Sequence, residues 1–311
     1  MSTIQIITIV LLSIILSAFV FYFLLTYICY AVSIRRNGFI GKAINKKFAS
    51  ESQSYGIDRS FWKSNKVEKL TLEKDGLKLA GFFVANEKSD KLAVVIHGYF
   101  SNHLDMSVQA KIFYDLGYNV FCPDLRAHGE SKGKTVGMGH FDKDDVIKWI
   151  ELLNVKFKKS MQIVVFGWSM GGATACLMAG EKLPENVKCI ISDCAYTTAY
   201  EEFKYVLKSK KVPVFPLIQM TNLGAKMYGE YFLKEADCLS AIKKSTLPIL
   251  FIHGENDTFV PAFMTDELFN AKEMGDKRKE IFAGAEHCKS YVSDKERYVQ
   301  ILKEWTDAYI R

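Results

Sequence analysis

The N-terminal run constrains this chain more than any other feature. From Ile4 to Ile34 no side chain is charged, and only Gln5 and scattered Ser, Thr and Tyr residues interrupt the apolar positions. As a helix at about 1.5 Å per residue, this run reaches roughly 45 Å, beyond the ~30 Å hydrocarbon core of a bilayer. Buried helices of globular cores are rarely so long and so uniform. Residues 4–34 are therefore expected to form a transmembrane helix. A cleaved secretory signal fits less well, because no Lys or Arg precedes the run and Phe19, Phe21, Tyr22, Phe23 and Tyr27 crowd its middle.

The flanks suggest an orientation. Arg35, Arg36, Lys42, Lys46 and Lys47 follow the run, which under the positive-inside rule puts the C-terminal domain of a single-pass protein in the cytoplasm. The extracellular face is the alternative. The seven cysteines are odd in number, and Cys122, Cys176 and Cys189 sit in apolar runs, as reduced core thiols do. Neither CxxC pairs nor Cys/His zinc spacing occurs, so no metal site is expected. A net charge of +6 is spread along the chain without a basic, aromatic-interleaved stripe, which argues against nucleic acid. Residues 35–47 could instead meet anionic headgroups.

Residues 35–65 are polar and basic and read as a juxtamembrane linker. From Lys66 strands and helices alternate. Val67 to Leu72 and Leu77 to Val84 flank Lys74-Asp75-Gly76, where Asp-Gly suits the positive φ of a tight hairpin. Lys91 to Ile96 reads as a strand buried on both faces. A helix with Leu104, Val108, Ile112, Phe113 and Leu116 on one side follows, ended by Gly117. Asn119 to Cys122, Ile163 to Phe166, Cys189 to Ile191, Ile249 to Ile252 and Glu280 to Phe282 are further strands. Asp145 to Leu153 and Gly171 to Ala179 are helices between them. Ser293 and Glu296 look like a capping box opening a last helix with Tyr298, Ile301, Leu302, Trp305 and Tyr309 on its apolar stripe. Such alternation implies a mostly parallel sheet covered by helices on both faces.

About fifty residues, 195–246, add no strand. Rich in Tyr, Phe, Met and Leu, they are too long for a plain connection. They are expected to form either a helical lid over a site or surface helices with an apolar underside.

The chemistry concentrates at Gly167-Trp168-Ser169-Met170-Gly171, after one strand and at the start of a helix. That is the context of a G-x-S-x-G elbow, which holds a serine exposed on a strained turn with a helix N-terminus behind it. A serine nucleophile needs a base, and in this arrangement the acid and then the histidine follow in chain order. Of six histidines, His97 and His253 end strands before a glycine and read as turn shapers. His103 and His140 lie near helix starts, where capping or exposure is usual, and His128 sits in a loop after a strand. His287, after the last strand, is the expected general base. The acid is expected to be Asp257, in His253-Gly254-Glu255-Asn256-Asp257; Glu255 and Asp193 are rivals, and a helix cap before Pro261 is the plainer role for Asp257. The backbone N–H of Met170 and that of Tyr99, in His97-Gly98-Tyr99-Phe100, are the expected oxyanion donors.

Taken together, His97-Gly98-Tyr99, Asp124-x-Arg126-x-His128-Gly129-x-Ser131, the serine elbow, His253-Gly254-x-x-Asp257 and His287 resemble the α/β-hydrolase superfamily over residues 66–311. More narrowly, they resemble bacterial single-pass hydrolases related to the serine aminopeptidase and acyl-peptidase branches. The resemblance implies an α/β-hydrolase fold with a lid between the sixth and seventh core strands, where the long insertion falls. It gives Asp124 and Arg126 a supporting role only. The expected activity is a serine hydrolase acting through an acyl-enzyme on esters with a hydrophobic group, small or lipid-like. A peptidase or amidase with the same triad is the alternative, although no acidic cluster suited to a peptide amino group is evident. A membrane-anchored binding module that has lost catalysis is the alternative of another class. No cofactor is expected: Gly129-Glu130-Ser131-Lys132-Gly133-Lys134-Thr135 is one residue short of a P-loop, and Gly137-x-Gly139 lacks a dinucleotide fingerprint's third glycine.

Overall fold

The computed structural model describes residues 1–36, 38, 60–64, 66–87, 89–158 and 161–311. The described helices are α1 (Thr3–Ser33), α2 (Phe61–Ser64), α3 (Ser107–Asp115), α4 (Asp142–Lys156), α5 (Met170–Ala179), α6 (Ala199–Ser209), α7 (Leu217–Gly229), α8 (Cys238–Lys243), α9 (Phe263–Ala271), α10 (Ser290–Ser293) and α11 (Lys295–Tyr309). The strands are β1 (Val67–Lys74), β2 (Leu77–Val84), β3 (Lys91–Ile96), β4 (Asn119–Pro123), β5 (Gln162–Trp168), β6 (Val187–Asp193), β7 (Ile249–Gly254) and β8 (Lys277–Phe282). They form one eight-stranded sheet in the order β1-β2-β4-β3-β5-β6-β7-β8. β1 and β2 form the expected hairpin, with Asp75 and Gly76 both at positive φ (52° and 70°). From β4 through β8 all neighbours run parallel.

Successive side chains on a strand face opposite ways, so a sheet covered on both sides needs apolar residues at every position. The central strands meet that demand. Val94, Ile96, Ile163, Val165, Ile190 and Phe251 pack on one face with Trp149, Ile150 and Met178. Ala93, Val95, Val164, Phe166, Ile191 and Ile252 pack on the other with Phe113, Tyr298, Leu302 and Trp305. This parallel core lines up the carboxyl ends of β3, β5, β6 and β7, where the loops bearing the expected site residues emerge.

Three expectations are corrected. The last helix is capped by Asp294, whose side chain accepts from Arg297 N at 3.0 Å; Ser293 belongs to the preceding turn of helix. Residues 35–65 are not wholly a linker. Phe61 and Trp62 are buried in the core, and the Arg36 guanidinium donates to Gly129 O (2.8 Å) and Ser131 O rather than facing solvent. Residues 37, 39–59 and 65, which carry the rest of that expected linker, lie outside the described residues. His103 is neither a cap nor exposed: it is buried, bonded through Nδ1 to Asp124 (2.9 Å) and stacked on Phe82.

α1 is capped at Ser2, whose hydroxyl accepts from Gln5 N at 3.3 Å. Residues 3–22 are exposed throughout, but the last turns are not. Thr26, Tyr30, Ser33 and Ile34 are buried against the rest of the chain. α1 crosses α7 at Gly224, where even a methyl group would come within 2.7 Å of Thr26 O. Tyr30 Oη lies 2.7 Å from Thr135 Oγ1, and Val136 N donates to Ile34 O at 2.7 Å.

Candidate active site

The turn between β5 and α5 is dictated by its glycines. A side chain at Gly167 would put Cβ 2.0 Å from Gly171 O, and one at Gly171 would reach 2.2 Å from Ile96 O. With both positions bare, the chain reverses tightly enough to leave Ser169 at φ 56°, ψ −116°, a strained conformation for an L-residue. Ser169 directly precedes α5, whose first N–H groups have no intrahelical partner.

The structure brings the three residues singled out by chain order into one hydrogen-bonded line. Ser169 Oγ lies 2.9 Å from His287 Nε2, and His287 Nδ1 lies 2.6 Å from Asp257 Oδ2. Asp257 comes from the loop after β7 and His287 from the loop after β8. Asp257 is not the helix cap of the plainer reading, since α9 has Ala262 as its N-cap; its Oδ1 instead accepts from Phe259 N and Val260 N of the preceding turn, each at 2.9 Å. The rivals are engaged elsewhere. Asp193 Oδ2 accepts from Tyr298 Oη at 2.7 Å, and Glu255 Oε2 accepts from Gly284 N at 3.0 Å.

Electrostatics follows from burial and partners. Burial alone would raise Asp257, but the neighbouring His287 and the hydrogen bonds from His253 and His287 hold its carboxyl well below the usual carboxylate range. Burial alone would lower His287, but its neighbours Cys194 and Asp257 outweigh it and push the imidazole above its ordinary value. Cys194 is itself held as a neutral thiol by burial, so the Asp257 carboxylate is the charge that counts.

The loop after β3 passes directly against the serine. A Cβ at Gly98 would lie 3.4 Å from Ser169 Cβ and 3.9 Å from its Oγ. The next two residues carry the chain past Ser169, with Phe100 at φ 52°. His128 fixes this turn. Burial lowers it to about 3, so it is neutral; Nδ1–H donates to Arg126 O and Nε2 accepts from Phe100 N, both at 2.9 Å. His97 Nε2 accepts from Leu125 N at 2.9 Å, joining the same two loops. Asp124 accepts from His103 N and Glu130 N, while Arg126 pairs with Asp145 at 2.6 Å. These contacts support the loops and leave Asp124 and Arg126 out of contact with the serine.

Above Ser169 lies a cavity of about 310 Å³. Residues 195–246 contain helices α6, α7 and α8, and Phe203, Val206 and Leu207 of α6 with Leu217 and Thr221 of α7 line the cavity. Two groups of lining residues were not anticipated. One is Leu25, Ile28, Cys29, Val32 and Ser33 of α1. The other is Glu202, buried with neither carboxylate oxygen hydrogen-bonded and pushed by burial to about 8. It stands beside Glu201 and Lys204 like a charged residue of any amphipathic helix, and only the packing of α6 reveals that it turns inward.

Cys194, His287 and Cys288 lie close enough for their ligand atoms to fall within 4.8 Å of one another. Metal ligation would need thiolates and a free imidazole nitrogen. Both His287 nitrogens are engaged, Nε2 with Ser169 Oγ and Nδ1 with Asp257 Oδ2. The cluster does not suit a metal.

Strand order, elbow and late histidine define an α/β hydrolase. Residues 93–212 match the alpha/beta hydrolase fold family. The chain is 31% identical over 272 residues to the uncharacterized protein YqkD of Bacillus subtilis, covering 86% of this chain and 89% of that one. Among solved structures it resembles an esterase from Pyrococcus furiosus, with a TM-score of 0.64 at 22% identity over 80% of this chain and 93% of that one. It also resembles an acylaminoacyl peptidase from Pyrococcus horikoshii, with a TM-score of 0.60 at 16% identity over 79% of this chain and 42% of that one. The chain belongs to the α/β-hydrolase superfamily.

Proposed function

We propose that the protein is a membrane-anchored serine hydrolase that cleaves acyl esters with a hydrophobic group. The observation carrying this reading is the line Ser169 Oγ–His287 Nε2–His287 Nδ1–Asp257 Oδ2, at 2.9 and 2.6 Å, beneath an apolar cavity. Ser169 attacks the acyl carbonyl while its proton passes to His287 Nε2. Asp257 holds the tautomer and stabilises the imidazolium that forms. Charge developing on the carbonyl oxygen is met by the backbone N–H groups of Tyr99 and Met170. His287 then gives its proton to the departing alkoxide, which leaves as the alcohol. Water, deprotonated by His287, attacks the acyl-enzyme and releases the acid and free Ser169.

A hydrophobic acyl group is favoured by the cavity lining, in which Leu25, Ile28, Val32, Phe203, Val206 and Leu217 present apolar side chains. The peptidase reading keeps the same three residues and differs in leaving group.

α1 serves as the membrane anchor. Residues 3–22 carry no charged side chain and are exposed throughout. The basic residues after it favour a cytoplasmic domain in a single-pass protein.

A fluorophosphonate probe tests the reading on the full-length protein in membranes. Labelling that disappears in Ser169→Ala supports it; folded wild-type protein that never labels favours a non-catalytic binding module. Ester and peptide substrate panels then separate esterase from peptidase, and protease protection of sealed vesicles reads the orientation.

A further inference from the structure

We infer that α1 is a wall of the substrate cavity as well as a tether, and that the cavity takes the acyl chain of a single-chain ester directly from the bilayer. The inference rests on the hydrolase reading and names its substrate class. Leu25, Ile28, Cys29 and Val32 line the cavity and stand at i, i+3, i+4 and i+7, one continuous stripe of the helix. The stripe is held in place. Gly224 lets α7 approach Thr26 O and Tyr30 Cβ, and the Tyr99 hydroxyl donates to Ser33 O. Tyr99 belongs to the loop that passes Ser169, so the end of α1 and the reacting serine share one bonded frame.

The membrane boundary falls at the cavity. The fully exposed stretch of α1, residues 3–22, reaches about 30 Å, the thickness of the hydrocarbon core. Immediately beyond it come Leu25 and Ile28, and Ile28 is 45% exposed while also lining the cavity. Ahead of α7, the loop leaving α6 presents Val212 and Phe215 to solvent, Phe215 at 75%, beside the exposed Lys210 and Lys211. Apolar tips flanked by lysines suit insertion among anionic headgroups. The proposal sets this loop and the end of the exposed stretch of α1 at the same bilayer surface, so that an apolar chain passes from lipid into the cavity without crossing water. The carbonyl it carries would arrive at Ser169, with the polar head outside.

The test uses the full-length protein in vesicles of phosphatidylcholine and phosphatidylglycerol. Rates are compared for dodecanoyl and butyryl p-nitrophenyl esters, and for labelling by long-alkyl and short-alkyl fluorophosphonates. Cys29→Trp fills the stripe, and the dodecanoyl-to-butyryl ratio is expected to fall at least tenfold. Val32→Phe intrudes from the same face and is expected to act likewise, while Ile14→Trp, on the lipid-facing part, keeps the wild-type ratio. Short-probe labelling reports that each variant is folded. An unchanged ratio in both folded cavity variants overturns this inference alone. Wild-type protein that cleaves neither ester and takes neither probe overturns the hydrolase reading with it.

Discussion

Asp257 divides its two oxygens between fold and site: Oδ1 holds Phe259 N and Val260 N at 2.9 Å, and Oδ2 meets His287 Nδ1 at 2.6 Å. Replacing the carboxylate by an amide keeps the first pair of bonds and spoils the second. Asp257→Asn is expected to fold normally while hydrolysis falls by on the order of 10,000-fold, because the amide favours the wrong imidazole tautomer. Asp257→Ala also orphans the buried Val260 N–H, at a cost of about 1–3 kcal/mol. Ester turnover and urea midpoints of the two variants separate the effects.

The elevated pKa of His287 sets the acid limb of activity. A base must be unprotonated, so kcat/KM is expected to rise with pH and reach half its plateau above the ordinary histidine value of 6.5. Asp257→Asn removes the charge that favours the imidazolium, so its residual activity should reach half-plateau at lower pH. A pH–rate profile centred at or below 6.5 in the wild type would contradict the Asp257–His287 pairing as the dominant influence.

Glu202 predicts a pH dependence of stability. Burial raises its pKa from 4.5 to about 8, so the folded state holds a proton that the unfolded state releases. The native state loses stability as pH climbs from about 4.5 to about 8, and the full penalty persists above that. Asp142, raised to about 7, and Asp193, raised to about 6, act in the same direction and remain in any variant. Glu202→Gln is therefore expected to match wild type near pH 4.5 and to exceed it in urea midpoint at pH 9. Equal midpoints at both values would place that carboxyl in contact with water.

Much of the candidate site is legible in the sequence because it is written in local chemistry. Gly167 and Gly171 are required by backbone contacts of about 2 Å, and such contacts leave a spacing in the sequence. Asp257 and His287 follow strands whose apolar runs mark them. What escaped was tertiary. Phe61 and Trp62 sit in a polar stretch too short to carry a period, and their burial depends on β2 and α3 packing against them. Asp294 took the cap from Ser293 because one extra turn of helix ends there. Glu202 looks like any charged residue of an amphipathic helix until α6 is laid over the cavity. The uniform hydropathy of α1 conceals that its last turns face protein, since lipid and core select the same side chains.

That packing gives a last prediction. Gly224 sits where α7 crosses α1, and a Cβ there would approach Thr26 O at 2.7 Å and Tyr30 Cβ at 3.0 Å. The backbone oxygen cannot rotate away, so a bulky side chain must push the helices apart. Gly224→Leu gains helix propensity of about 1 kcal/mol, which works against the expected outcome and makes the test stringent. Overpacking of a close helix crossing costs typically 1–3 kcal/mol, enough to outweigh that gain. Separation also strains the contacts that Tyr30 makes with Thr135 and that Ser33 makes with Tyr99. The full-length variant in micelles is therefore expected to show a lower urea midpoint and faster proteolysis near residues 33–38 than wild type. If the midpoint instead rises by the propensity gain alone, α1 does not rest on α7 in solution.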